Sequence, residues 1–497
     1  MMGEENGFQP KLFYHQINLD QKVPKHHVLR KIQEQIDFDF IYQEVRDHYG
    51  DNGNVSIHPP VILKMMLLLI LYNVRSEREL LETIPLRLDW LWFLGYDVDS
   101  EVPDHSVLSK ARARWGVDAF RGFFERIVWQ CVEAGLVDGS KLFVDASLVD
   151  ADASNNSVID TQSLKIHLRD NYRKLEARLD ESSGSSGSSR SYVKQNSRYM
   201  SSTDPDAAIV NRGKPRLSYQ VHRAVDVRAE IITATETTAG DVNEAHRMVP
   251  LLEGHHSNTG RRAEVVVADS KYGTIDNFLV CSELGVKAHV ADLGECSAKR
   301  TEKLNIFSEE RFEYDPQSDT YRCPAGNRLK PRSLHQNRQS RDYAAPKKLC
   351  AVCSLREQCT RNKSGRTIKR HLRQEELDRM REASRSAQAR RDIKMRQHLM
   401  ERSYARGTRY GFDRARWRGL WRVQIQEYLI ATVQNLQVLV KYGSQPKGSL
   451  SAMMQQVHGA QTRGGGLIAV FRDLMIHEIG QLMPAGSICP WLSRIEI

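Results

Sequence analysis

The chain has 497 residues, with 72 Lys+Arg against 62 Asp+Glu and a formal net charge of +10. At roughly 100–200 residues per domain, that length allows two to four domains, each able to bury its own core. An apolar fraction of 40% with 27% charged residues excludes a collagen-like, coiled-coil or mainly disordered chain, and the basic balance hints at a polyanionic partner without bearing on fold.

Residues 25 to about 135 read as helical. The most apolar run, VILKMMLLLILY at 61–72, spans twelve residues and contains Lys64. A membrane span needs about 20 apolar residues, so the run predicts a buried helix and no membrane partner. Pro59-Pro60 opens it, and Ser76, with Glu79 three residues on, caps the next. A third helix is expected from Asp104, in DHSVLSKARARWG, to about Gly116. Its Lys110, Arg112 and Arg114 suit a DNA-binding helix-turn-helix or, equally, the solvated basic face of a bundle. The N-terminal stretch MMGEENGFQPKLFYHQ has no basic start followed by an apolar core. A cytoplasmic protein is therefore expected.

From Lys141 the pattern changes. LFVDAS reads as a short strand, and SSGSSGSSR at 182–190 as a flexible loop. Residues 217–227 and 230–237 are expected to pair as a hairpin across Arg228-Ala229. A helix should span 242–252. AEVVVADS, ending on Asp269, reads as a fully buried strand. A helix at 275–284 and a strand near Val286 follow, and strands alternating with helices indicate a mixed α/β domain. Residues 295–388 are polar and cysteine-bearing, and read as an insertion. Helical patterning returns at Arg390, with a strong amphipathic or buried helix at 427–442 and a tail at 443–497.

Asp145 and Asp269, 124 residues apart, each end a short strand-forming run. Adjacent strands can bring such ends together where α/β sheets place ligands. Two close carboxylates repel, and a divalent cation such as Mg²⁺ relieves this while keeping positions open for phosphate and water. Two such ions about 3.5–4 Å apart serve phosphodiester displacement. The competing reading is that each aspartate is a cap or turn former.

KLFVDASLVDADAS, STDPDA at 202–207, YQVHRAVD, VVADSKYGT and ERSYARGTRYGFDRARWRGLWRVQIQEYLIATVQNL resemble DDE transposases of bacterial insertion sequences. The likeness is to the group numbered eleven eighty-two, within the class typified by insertion sequences four and five. HPPVILKMMLLLILYNVRSERELLETI and PDHSVLSKARARW are similar to that class's N-terminal domain. The resemblance covers roughly residues 12–442. It implies an α/β chain with an RNase H-like catalytic core, preceded by an all-α N-terminal DNA-binding domain at 1–135. The core would occupy 136–294 and 389–442, interrupted by the insertion.

The same resemblance implies a catalytic, metal-binding trio of Asp145, Asp269 and Glu401 holding two Mg²⁺ (or Mn²⁺) ions. Tyr404 matches the family's aromatic three residues after the glutamate, while Thr408 stands where the family often has lysine. Glu427 is the alternative third acid, and Asp150 and Asp152 read as loop residues. Implied partners are double-stranded DNA, as terminal inverted repeats and target, and a homodimer or larger assembly on DNA. A nuclease without strand transfer and an inactive domesticated DNA-binding protein are the competing functions.

Residues 361–422 hold 20 Lys+Arg and 7 Asp+Glu, a local net of +13 with interleaved aromatics. That composition suits phosphate neutralisation and base stacking. Arg406, Arg409, Arg414, Arg416 and Arg418 are the candidate contacts, with Lys271, beside Tyr272, a further one. Cys350-x-x-Cys353, with Cys323 and Cys359, reads either as a Cys₄ zinc site or as reduced free thiols; His335 is a substitute ligand. Similar cysteines occur in related transposases. His222 lies in a motif block, as a crevice residue or a core histidine.

Overall fold

The computed structural model describes residues 17–50, 56–162, 198–291, 303 and 305–443. The Ser/Gly-rich stretch at 182–190 and the tail from 444 onward lie outside the described residues. Among the described residues, no helix is long and apolar enough to cross a membrane.

Among the described residues, seven helices come first: α1 Leu19–Lys22, α2 Val28–Gln35, α3 Phe40–Val45, α4 Pro59–Leu71, α5 Glu77–Thr83, α6 Leu88–Leu94 and α7 Ser106–Glu133. Proline fills the first positions of α4, where a missing N–H costs nothing. Ser76 Oγ accepts from Glu79 N at 3.1 Å to start α5. The helix expected to end near Gly116 does not end there. Gly116 takes φ 67°, ψ −165°, a conformation open to glycine, and the chain then re-enters helix as far as Glu133. The second half buries Phe120, Phe123, Phe124, Ile127 and Val128, an apolar stripe that outweighs the break.

A six-stranded mixed sheet follows. Its strands are β1 Lys141–Asp150, β4 Ala208–Arg212, β5 Lys214–Asp226, β6 Ile232–Ala239, β7 Val265–Ala268 and β8 Lys287–Val290. A separate pair, β2 Val158–Asp160 and β3 Tyr199–Ser201, lies beside it. The order is β4-β5-β1-β7-β8, with β6 also on β5. β1 is antiparallel to β5 and parallel to β7. β5 and β6 form the expected hairpin, with Glu230 in its turn at φ 58°. Between β6 and β7 a 3₁₀ turn, Glu244–Arg247, leads into α8 Met248–Thr259, later than the helix expected at 242–252. The chain then forms α9 Ile275–Glu283 between β7 and β8.

Residues 305–371 carry a five-stranded antiparallel sheet: β9 Glu313–Asp315, β10 Thr320–Arg322, β11 Arg328–His335, β12 Ser340–Ala344 and β13 Thr367–His371. Its core is small: Phe312, Tyr321, Leu329, Tyr343, Ala345 and Ile368. Among the described residues, three long helices come last: α10 Gln374–Ser384, α11 Ala387–Thr408 and α12 Leu420–Tyr442.

α12 is buried on almost all sides from Val423 to Leu436, its polar residues included. Those residues close the free edge of β6, which would otherwise expose unpaired backbone groups. Asn435 accepts from Ile232 N at 2.9 Å and donates to Ile232 O at 2.8 Å, and Gln424 accepts from Thr237 N. One continuous apolar core joins α4 and α7 to β1, β5 and α12.

Candidate active site

The register of the sheet decides where the carboxylates stand. β1 and β7 pair in parallel with Lys141 opposite Val265 and Phe143 opposite Val267, a constant offset of 124. Asp269 minus Asp145 is also 124, so the two aspartates lie level where β7 ends. Neighbouring strands run about 4.8 Å apart, and equal parity puts both side chains on one face. β7 ends there because Asp269 turns the chain, accepting from Ser270 N at 2.6 Å.

α11 packs across that face. Asp392, fully buried, receives Lys141 Nζ at 2.9 Å and His289 Nδ1 at 2.7 Å, tying the helix to β1 and β8. One turn on, Arg396 Nη1 lies 2.6 Å from Asp145 Oδ2, and its Nη2 lies 4.0 Å from Asp269 Oδ1. Two turns further, Tyr404 donates to Asp145 O at 2.9 Å, so the aromatic after Glu401 pins the helix to the strand. Burial pushes the Asp145 carboxyl above its ordinary pKa, against the pull of Arg396.

Glu401 is on the same helix, exposed, and bonded through Oε1 to Gln397 Nε2 at 3.1 Å. Asp145 and Asp269 are thus brought together, and Glu401 stands to one side. Among the described residues, no three His, Cys, Asp or Glu stand close enough to hold a metal ion as placed. The alternative acid, Glu427, is sealed in the core. Arg223 Nε and Nη2 meet its two oxygens at 2.7 and 2.9 Å. Asp150 ends β1 and pairs with Arg216, so it is a strand residue and not a loop one.

Several basic candidates have other partners. Arg112 is 4% exposed. It pairs with Glu77 and lies 3.9 Å over the Trp417 ring, so it is a packing residue and cannot face DNA. Arg416 is likewise turned inward, onto Asn73 Oδ1 and Val74 O. Lys110 and Arg114 are exposed, Arg114 over Tyr49. Arg406 pairs with Glu230 at 2.8 Å, and Arg414 and Arg418 both pair with Asp152 at 3.2 Å. The two Asp152 pairs are solvent-exposed, so little holds them against a phosphate, whereas Glu230 is half-buried under Arg406. Arg409 is exposed and makes no ion pair among the described residues. Lys271 sits 2.7 Å from Glu244.

His222 is fully buried with Nε2 on Thr238 Oγ1 at 2.9 Å, and burial drops its pKa to about 3. It is a core histidine, not a crevice residue. Tyr272 is also fully buried, and among the described residues its hydroxyl has no hydrogen-bond partner. A cavity of about 660 Å³ lies elsewhere, between α7, β6, α8 and α12, and holds none of these carboxylates.

Cys323, Cys350, Cys353 and Cys359 are free thiols lining one small cavity of the five-stranded sheet's subdomain. His335 is not among them; it faces Asp342 at 3.1 Å.

Residues 17–114 match a family model described as a transposase domain (DUF772), and residues 322–440 match one described as a transposase DDE domain. The second match spans α11, with Arg396 and Glu401. The two matches support a DDE transposase. A search of curated proteins gives no match. Enzymes of this class cut and transfer DNA strands with divalent metal ions, and the transposase presents hard oxygen donors, Asp145 and Asp269, suited to such an ion. The sequence missed Arg396, Asp392 and Arg223, which position this site. A buried helical stripe carrying charges at 392 and 396 is the signal that could have found the first two.

Proposed function

We propose that this transposase binds the terminal inverted repeats of its own insertion sequence, of the group numbered eleven eighty-two, and cuts and rejoins DNA at the element's ends. In this reading the sheet with α8, α9, α11 and α12 is an RNase H-like core, the helices before residue 135 help recognise the repeats, and residues 295–388 are an insertion. Two protomers assemble on paired DNA ends in the bacterial cytoplasm. The observation that carries the reading is the level pair Asp145 and Asp269 with α11 across it.

The two aspartates and Glu401 would hold two Mg²⁺ ions, which when bound supply activation of water or a 3′-hydroxyl and stabilise the leaving oxygen. Asp145 is fixed by β1 and by Tyr404, and Asp269 by the turn after β7. Glu401 joins them by giving up its exposed bond to Gln397, which costs little. Arg406, Arg409, Arg414 and Arg418 would follow the DNA backbone, exchanging surface carboxylates for phosphates. Lys110, Arg114 and Lys271 are further contacts.

The test is a cut-and-join assay with the element's own ends and Mg²⁺. Wild type is expected to cleave and join, and Asp269→Ala to lose at least a hundredfold in both. Full cleavage by Asp269→Ala would overturn the site. Cleavage without joining would mark a nuclease, and binding without cleavage an inactive DNA-binding protein.

The thiol cluster supports a structural zinc ion that draws Cys323, Cys350, Cys353 and Cys359 inward. The subdomain around it buries few apolar side chains and needs such a staple. One zinc per chain, lost in Cys350→Ser, is expected by metal analysis. Zinc-free wild-type protein would remove the site.

A further inference from the structure

Arg396 holds a position that a repelling pair of carboxylates needs filled. Asp145 and Asp269 lie level on adjacent strands, and a guanidinium reaches both, at 2.6 and 4.0 Å. Its side chain is only 11% exposed, and among the described residues its buried Nε has no hydrogen-bond partner. That is incomplete satisfaction for a group with five donors. Nor does it serve to hold the helix. Asp392, with Lys141 and His289, anchors α11 one turn before it, and Tyr404 anchors the helix two turns after it.

We propose that Arg396 is the resident counter-cation of the Asp145–Asp269 pair: it occupies the carboxylates until a divalent ion binds, and then yields Asp145 Oδ2. Two cations on one carboxylate oxygen repel each other at close range, so ion and guanidinium compete. The displaced fork is left in the crevice where a DNA phosphate arrives, and its planar donors match phosphate oxygens two at a time. Arg396 is therefore a positioning residue for the carboxylates and a gate on metal entry. This inference rests on the proposed metal site.

The test uses full-length protein without DNA and follows Mn²⁺ binding by titration, with thermal melting alongside. Arg396→Gln is expected to bind Mn²⁺ roughly tenfold more tightly, because a charged hydrogen bond no longer competes. It should also melt several degrees lower than wild type without metal, and show a larger Mn²⁺-induced rise. Arg396→Lys keeps the charge without the fork and should fall between the two, which serves if Arg396→Gln does not fold. Affinity in either variant at or below that of wild type would overturn the proposal. Asp269→Asn separates the two readings. If it abolishes Mn²⁺ binding while Arg396→Gln is neutral, only the role of Arg396 fails. If Mn²⁺ binding survives Asp269→Asn, the ion sits elsewhere and the site reading falls with it.

Discussion

Arg223 and Arg396 both meet carboxylates on one face of the central sheet, and they are satisfied to very different degrees. Arg223 stands directly opposite Asp145 in the β1–β5 register, yet it turns to Glu427, Ser403 and Gln434. Its guanidinium also lies over Tyr404 and Phe412, at 4.9 and 4.7 Å from the ring centroids. It is fully buried, with a bidentate partner 2% exposed. Among the described residues, Arg396 has one firm contact, one at 4.0 Å and an Nε without a partner. A sealed, saturated pair is architecture. A half-satisfied pair with partly exposed carboxylates is a place where partners can be exchanged.

Glu427→Ala is the strongest way to break that contrast. It strands a buried guanidinium, and breaking a buried pair from one side costs about 3–5 kcal/mol. Urea unfolding should show that loss. Glu401→Ala removes an exposed side chain and should change stability by less than about 0.5 kcal/mol while abolishing cleavage. A stable Glu427→Ala protein without activity would move the third acid from Glu401 to Glu427.

A second contrast separates the arginines read as DNA contacts. Arg112 is buried on Glu77 and Trp417, whereas Arg114 is exposed over Tyr49. Arg112→Met keeps the bulk but leaves Glu77 unpaired, and should cost about 1–3 kcal/mol. Arg114→Ala should stay within about 0.5 kcal/mol and instead lower DNA affinity, with a salt dependence shallower by about one unit. Arg112→Met that weakened DNA binding at unchanged stability would return Arg112 to the DNA surface.

These residues also mark how far the sequence can be read. Asp145 and Asp269 were legible because each ends a local run of strand formers, and their separation of 124 became meaningful once it matched the strand offset. The helix over Pro59–Leu71 was legible because an all-round apolar run can only be buried. Arg112 and Arg416 were misread because charge is a local property and burial is not. Their partners, Glu77 with Trp417 and Asn73 with Val74, come from segments about 35 to 340 residues away. The +13 block is, for the same reason, not one open track. Arg402, Arg406, Arg414 and Arg418 are matched by acids outside it, Glu230 and Asp152.

The smallest expected effect concerns the other face of the sheet. His222 is buried and neutral, with its folded pKa down at about 3 against 6.5 for the ordinary side chain. The unfolded chain therefore binds a proton below pH 6.5 that the folded chain refuses. Stability is fully present above that pH and is lost as pH falls toward 3. One unit below 6.5, His222 alone should cost about 1.4 kcal/mol. His255, whose pKa burial also lowers, adds in the same direction. Urea unfolding at pH 7.5 and 5.5 should show the fall in wild type and a shallower one in His222→Gln, whose amide can still meet Thr238. Equal slopes would mean that His222 takes up a proton in the folded chain, and that it lies nearer the crevice than the core.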